Sequence, residues 1–279
     1  MITKQTPLKK FFTYFVIIAL LFLFVFPIYW MFISSLKDNS VLMRLPPQLY
    51  PTFSTLDSYK AIFQNVKYMR YIGNSLIVAS ITVVIDLLFS VFAGYSLSRF
   101  RYPGRKAIMT VTLSAQVFPT VVILISLYEF FSKFKLMNSY FGLALADVAM
   151  SLPLSVWMLK SFCDSVPRSL DEAARVDGCG RFRTMMQIVV PLLKPGMLAV
   201  GIYAFLMSWD DYLLGLVIMT KTPKKTLPVG ISESFLGEFG FDYSGMMTIS
   251  VVASLPVLLL FLIFQKYMVA GLTGGAVKE

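Results

Sequence analysis

The chain has 279 residues, 57% of them hydrophobic and 14% charged, with a formal net charge of +10, no histidine and two cysteines. Its mean hydropathy of +0.73 leaves too little polar surface to cover a water-soluble globule of this length, so that class is excluded and a membrane protein remains. The absence of histidine removes the commonest general base, metal ligand and near-neutral proton relay together.

Six runs nearly free of charge predict membrane-crossing helices, each close to the ~20 residues that span ~30 Å of hydrocarbon. The first, 11–33, follows Lys4, Lys9 and Lys10. Its apolar core is longer than the h-region of a signal peptide and no small-x-small cleavage site follows, so it reads as a retained helix. A Pro-rich loop (36–63) leads to the second run, 72–97; the basic turn RFRYPGRK (99–106) leads to the third, 107–130. A short turn near 133–138 precedes the fourth, 140–162. A polar segment, about 163–195, then separates it from the fifth, 196–219, and a loop over 220–243 leads to the sixth, 246–268, and a tail, 270–279. The alternation of membrane strands is absent, which rules against a barrel. The expected fold is all-α, a polytopic membrane protein with six transmembrane helices in one domain over 1–279, without internal repeat or appended soluble module.

Lys and Arg are unevenly shared between the predicted loops. Fifteen of the 25 fall at the amino terminus, in the 98–106 turn, in the 160–194 segment and at Lys266 and Lys278 near the end of the chain, all on one side of the predicted topology. Both termini are therefore expected in the cytoplasm. The net charge is explained by this asymmetry and by anionic lipid, with no need of nucleic acid. Cys163 and Cys179 fall on the same side and imply neither disulfide nor metal site.

The segment EAARVDGCGRFRTMMQIVVPLLKP (172–195) interrupts this apolar chain with a basic, amphipathic, glycine-broken stretch. It predicts two short helices. Pro167 suits a first helical turn, Ser169 and Glu172 have capping-box spacing, and Gly178 sits where a left-handed cap is needed. Phe182, Met185, Met186, Val189 and Val190 then recur at helical spacing as one apolar face, and Pro191 ends or kinks the helix. That face can be covered by the protein's own helix ends, by the lipid interface or by a partner's groove.

Glu172, Ala173, Ala174, Gly178, Ile188, Val190 and Pro191 stand at the spacings EAA-x3-G-x9-I-x-V-P. This pattern resembles the EAA signature of the membrane subunits of binding-protein-dependent ABC importers, with Val190 where leucine is usual. RFRYPGRK, SWDDYLL (208–214), TLPVGI (226–231) and the end of the chain resemble the MalG-like permease of the carbohydrate-importer subfamily. The resemblance implies the fold of type I importer permeases, with the loop around 163–195 as a coupling helix in a surface cleft of an ATP-binding subunit. Glu172, Ala173, Ala174, Asp177, Gly178, Ile188 and Pro191 would carry that contact. It implies a MalF-like second permease, an ATP-binding subunit dimer using ATP and Mg, and an extracytoplasmic solute-binding protein met by the 36–71 and 220–243 loops. It also implies a sugar or oligosaccharide substrate, and no catalytic residue or cofactor on this chain itself. In maltose-type relatives such a tail reaches between the ATP-binding subunits; a flexible end is the other reading of 270–279.

Asp86, Asp147, Asp210 and Asp211 fall inside predicted spans, where a charge costs from ~3 kcal/mol unless paired or hydrated. Trp209, Asp210, Asp211 and Tyr212 can form a sugar-facing surface of aromatic and carboxylate groups, or hold helices together; Asp86 reads as structural, and Asn74 and Gln116 as interhelical hydrogen-bonders. An ion-driven secondary transporter would use the aspartates but leaves the EAA segment without a purpose. An intramembrane enzyme lacks any catalytic motif, and no phosphate loop makes the chain an ATPase.

Overall fold

The computed structural model describes residues 7–50, 55–235 and 242–276, with side chains from Leu8 and as far as Gln265. Parts of both predicted outer loops, the first lysine and the last three residues lie outside the described residues, as do the side chains of the tail. Among the described residues every regular element is helical: α1 Pro7–Ser35, α2 Asn39–Leu42, α3 Asp57–Gln64, α4 Val66–Arg99, α5 Arg105–Ser114, α6 Thr120–Lys133, α7 Tyr140–Ser165, α8 Arg168–Val176, α9 Arg181–Thr184, α10 Val190–Leu192, α11 Lys194–Trp209, α12 Leu213–Ile218, α13 Leu227–Phe235 and α14 Tyr243–Ala276, with short 3-10 or π turns between some of them.

Four stretches are each long and apolar enough to cross a membrane: Leu8–Ser35, Val66–Arg99, Tyr140–Ser165 and Tyr243–Gln265. Two further stretches pass only as bent pairs, Arg105–Val117 with Thr120–Lys133 at 100° and Arg181–Leu192 with Lys194–Trp209 at 77°. The third and fifth predicted spans thus differ from single straight helices. In the third, Phe118 is extended (ψ 129°) before Pro119, because the proline ring clashes with a helical residue ahead of it. In the fifth, α11 stops at Trp209, and residues 210–212 break the run before α12 begins.

The helices cluster into two compact units, one from Met1–Val66 and Ile231–Leu255, the other from Lys67–Gly230 and Pro256–Glu279. The first is tied by a polar knot. Ser244 donates its hydroxyl to Lys37 O at 2.6 Å and its N–H to Asn39 Oδ1 at 2.8 Å, while Thr248 donates to Ser35 O at 3.2 Å. Lys37 donates to Gln48 O and lies 5.0 Å from the Trp30 ring centroid; burial pushes its pKa down. Most of α1 itself stays exposed along an apolar surface.

In the second unit small residues let α4, α7 and α11 approach. A Cβ on Gly94 would lie 2.9 Å from Lys160 N, and one on Gly196 would lie 2.5 Å from the Phe162 ring. Lipid offers Leu and Val as apolar a neighbour as protein does, so close van der Waals packing and interhelical hydrogen bonds, more than burial, favour such contacts. One layer of the core gathers Val91, Leu159 and Val200. A second, around Val78, Leu143, Ala144, Leu214 and Ile218, lies toward the start of α7, and a third, around Tyr95, Cys163, Met185 and Leu193, toward its end. Ser139 starts α7 as its N-cap, accepting from Gly142 N at 3.3 Å. The predicted extracellular loop after α12 is held by Asn74, which donates to Pro223 O (3.1 Å) and Lys225 O (2.8 Å) and accepts from Tyr140 Oη (2.7 Å). Gln116 donates to Met150 O at 3.1 Å, tying the turn between α5 and α6 to α7.

Candidate functional site

Helix α8 begins after Pro167, an extended residue with φ −58° and ψ 133°. Ser169 lies inside the helix, one residue beyond Arg168, and no side chain caps the start. The predicted capping box is therefore absent: proline already fixes the entry, and the helix starts too early for Ser169 to reach its free N–H groups. The other end follows the expectation. Gly178 has φ +80°, its N–H reaches Arg175 O at 3.1 Å and Cys179 N–H reaches Ala174 O at 2.8 Å. These paired bonds are the Schellman closure, which needs the left-handed residue that glycine supplies without strain.

The second short helix is compound: Arg181–Thr184 is α, Met185–Val189 a π turn and Val190–Leu192 α again. Pro191 has no N–H to give to the carbonyl four residues back, and the wider turn directly before it absorbs that gap. The π turn adds a residue to the repeat and splits the predicted apolar face. Met185 and Val189 are buried against Tyr95, Cys163 and Leu193, whereas Phe182 and Met186 are exposed, Phe182 stacking on Phe92 at 6.4 Å. Ile188, on the same turn, is half-buried and Pro191 exposed.

The face of α8 turned inward is anchored by charge. Arg99, the last residue of α4, pairs with Asp171 at 3.0 Å, the side chains being only 6% and 10% exposed. Tyr95 donates to Asp171 Oδ1 at 3.3 Å. Arg99 also caps the end of α7 through Val166 O at 2.9 Å, and Arg168 of α8 returns to Ser98 O of α4 at 3.1 Å. Ser98 and Lys160 both donate to Asp164, at 2.6 and 2.5 Å. Three helix ends are thereby clasped together. None of this was assigned in the sequence, where Arg99 counted only toward loop charge; the signal available was an acid, Asp171, one residue ahead of the EAA triplet.

Ala174 packs inward, while Glu172, Ala173, Asp177 and Gly178 are exposed. Glu172 stands beside the arginines of the inward face, and Val176 projects as the apolar tip, 88% exposed. The other predicted group, Trp209 to Tyr212, lies at the far end of the 16-residue α11, roughly 22 Å along the helix axis from Lys194. The structure does not bring the two groups together.

Nor does it make one surface of Trp209, Asp210, Asp211 and Tyr212. Trp209 is buried and stacks on Phe205 at 5.5 Å. Asp211 turns onto the start of α12 and accepts from Leu214 N at 3.2 Å and Gly215 N at 2.7 Å, so its carboxylate neutralises free N–H groups at a helix start. Gly215 leaves room for this: a Cβ there would lie 2.9 Å from Thr226 Oγ1 and 3.3 Å from Asp211 Oδ2. Asp210 and Tyr212 face outward. The remaining intramembrane carboxylates join helices. Ser208 donates to Asp147 Oδ2 at 2.5 Å and accepts from Thr82 at 3.3 Å, linking α4, α7 and α11, and Ser151 donates to Asp86 at 2.7 Å.

The family model of the binding-protein-dependent transport system inner membrane component matches residues 86–274. A sulfoquinovosyl glycerol transport system permease of Agrobacterium fabrum is 37% identical over 253 residues, covering 91% of this chain and 88% of the relative. The trehalose/maltose transport system permease MalG of Thermococcus litoralis is 33% identical, covering 91% of each. Among solved structures, a bacterial ABC transporter involved in import of the acidic polysaccharide alginate matches with a TM-score of 0.81 at 18% identity, over 96% of this chain and 99% of that one.

Proposed function

Since the chain belongs to the family of binding-protein-dependent transport system inner membrane components, and is thus a multi-pass inner-membrane transport subunit rather than an enzyme, we propose that it is the MalG-like permease of an ATP-driven importer of sugars or oligosaccharides. The observation that carries this reading is the match, over about nine-tenths of each chain, to permeases whose names specify glycosides. In this proposal a MalF-like second permease completes the pathway, an extracytoplasmic solute-binding protein delivers the sugar, and two ATP-binding subunits use ATP and Mg; this chain binds no cofactor. With α5 and α6 counted as one broken span and α11 with α12 as another, the chain makes six crossings with both termini in the cytoplasm.

The α8–α9 turn is the coupling element of this proposal. Its support is the combination of a clasped base and an exposed tip: Asp171 and Arg99 fix α8 to α4, while Ala173, Val176 and Asp177 face outward for the ATP-binding subunit. A push on the tip then passes to α4, α7 and α11 as nearly rigid-body motion. Reconstitution of the chain with its cognate partners in proteoliposomes tests the proposal. Uptake of a mono- or oligosaccharide should require ATP and the solute-binding protein. Uptake that persists without ATP but stops when ion gradients are dissipated would replace it with the ion-driven alternative.

A further inference from the structure

A cleft of about 420 Å³ opens between the inward face of α8 and the end of α4. Residues 168, 171, 172 and 175 recur at i, i+3, i+4 and i+7, so one whole stripe of α8 forms a wall. Five arginines line the cleft: Arg99, Arg101, Arg168, Arg175 and Arg181. Two acids, Asp171 and Glu172, line it as well, and Asp171 is already committed to Arg99.

Arg168, Arg175 and Arg181 are preorganised by contacts that use few of their donors. Each guanidinium has five N–H groups in a fixed fork. Arg168 spends one on Ser98 O and Arg175 one on Asp171 O at 3.3 Å. Arg181 holds its guanidinium carbon 5.3 Å from the Phe100 ring centroid, a cation–π contact that uses no hydrogen-bond donor. Arg101 has an exposed side chain at the same opening. Even with Glu172 counted against them, four arginines outside the Arg99–Asp171 pair leave a net positive site. Planar forks of this kind match the tetrahedral oxygens of a phosphate better than a point charge does. The cleft also sits where the 34-residue α4 ends, at the depth where an apolar helix gives way to headgroups.

We propose that this cleft is a binding site for a phosphate-bearing anion, either the headgroup of an anionic phospholipid or a soluble phosphate. A basic pocket at a helix end gains from each arginine about what a juxtamembrane arginine gains from anionic lipid. Occupation would bridge α8 to the α4–α5 turn from outside, on top of the buried pair beneath it. This inference is independent of which sugar is carried.

Native mass spectrometry of the full-length chain in detergent tests it, with phosphatidylglycerol, phosphatidylcholine and inorganic phosphate as probes. The chain should retain phosphatidylglycerol over phosphatidylcholine, or else retain inorganic phosphate. The first result with no displacement by millimolar phosphate assigns the lipid; displacement assigns the soluble anion. Arg101→Gln with Arg181→Gln should lower retention roughly thirtyfold, about 2 kcal/mol for two arginines, and Arg101→Gln alone roughly fivefold. Lys133→Gln with Lys135→Gln removes equal charge elsewhere and should change nothing. Equal retention by the arginine variants and the wild type, an equal loss in the lysine variant, or retention of neither probe over phosphatidylcholine overturns the proposal.

Discussion

The turn at Gly178, between α8 and α9, and the break at Asp210, Asp211 and Tyr212, between α11 and α12, both interrupt helices, but they treat their polar groups in opposite ways. At Gly178 the backbone closes on itself through a left-handed glycine and the side chains around it point outward. At the break a carboxylate folds back onto the next helix and a tryptophan is buried. The first arrangement leaves a rigid projection whose tip has no work inside the chain. The second spends two of its four conspicuous residues, Trp209 and Asp211, on packing and on a helix start, and turns Asp210 and Tyr212 outward.

The largest effect should come from the clasp beneath the projection. Asp171→Ala leaves the Arg99 guanidinium buried without its partner and should cost about 3–5 kcal/mol, seen as a large fall in the thermal midpoint of the purified chain. Asp171→Leu combined with Arg99→Met should recover most of it, since an apolar pair of similar volume has no charge to bury. A small loss in the single variant would mean that α8 is held by packing alone, and the contrast with the break would weaken.

Asp211→Ala comes next. It strips two backbone N–H groups of a charged acceptor at a partly buried helix start, a loss of roughly 2–3 kcal/mol, and Asp211→Asn, which keeps one acceptor, should lose about half as much. If both variants unfold like the wild type but fail in sugar uptake, Asp211 belongs to the transport path and the break resembles the projection after all. Gly178→Ala should cost about 1–2 kcal/mol, because a side chain at φ +80° is strained although nothing crowds the site. Smallest of all is Val176→Asp, within about 0.5 kcal/mol in thermal stability, yet with co-purification of the ATP-binding subunit lost. That pair of results, stability kept and docking gone, separates a tip from a strut.

The long apolar runs were legible because lipid imposes a length on any helix that crosses it, and α1, α4, α7 and α14 appear where hydropathy places them. The bends were not, because hydropathy averages over the residues that make them. Pro119 sits inside an apolar window and its effect is on the conformation of Phe118, while 210–212 break a helix through a cap formed by Asp211 on α12. Gly178 could be read because only a left-handed turn needs glycine at that place. The misreading of Ser169 has a local cause: Pro167 starts the helix before the serine can cap it. The Arg99–Asp171 pair joins residues 72 positions apart, a contact that no short-range pattern encodes, and the π turn that divides Met185 from Met186 shifts a periodicity that sequence spacing assumes to be constant.

The claim on which the account rests is that the α8 tip meets the ATP-binding subunit while the opposite face of the same helix is fixed to this chain. A photo-reactive amino acid placed at position 176 of the assembled transporter tests it directly, with a second at position 174, the buried alanine of the same helix, as the inward control. The account predicts cross-links from 176 to the ATP-binding subunit, and from 174 only within the same chain. Cross-links from 176 confined to this chain or to lipid, in a complex that still retains its ATP-binding subunits, would contradict it.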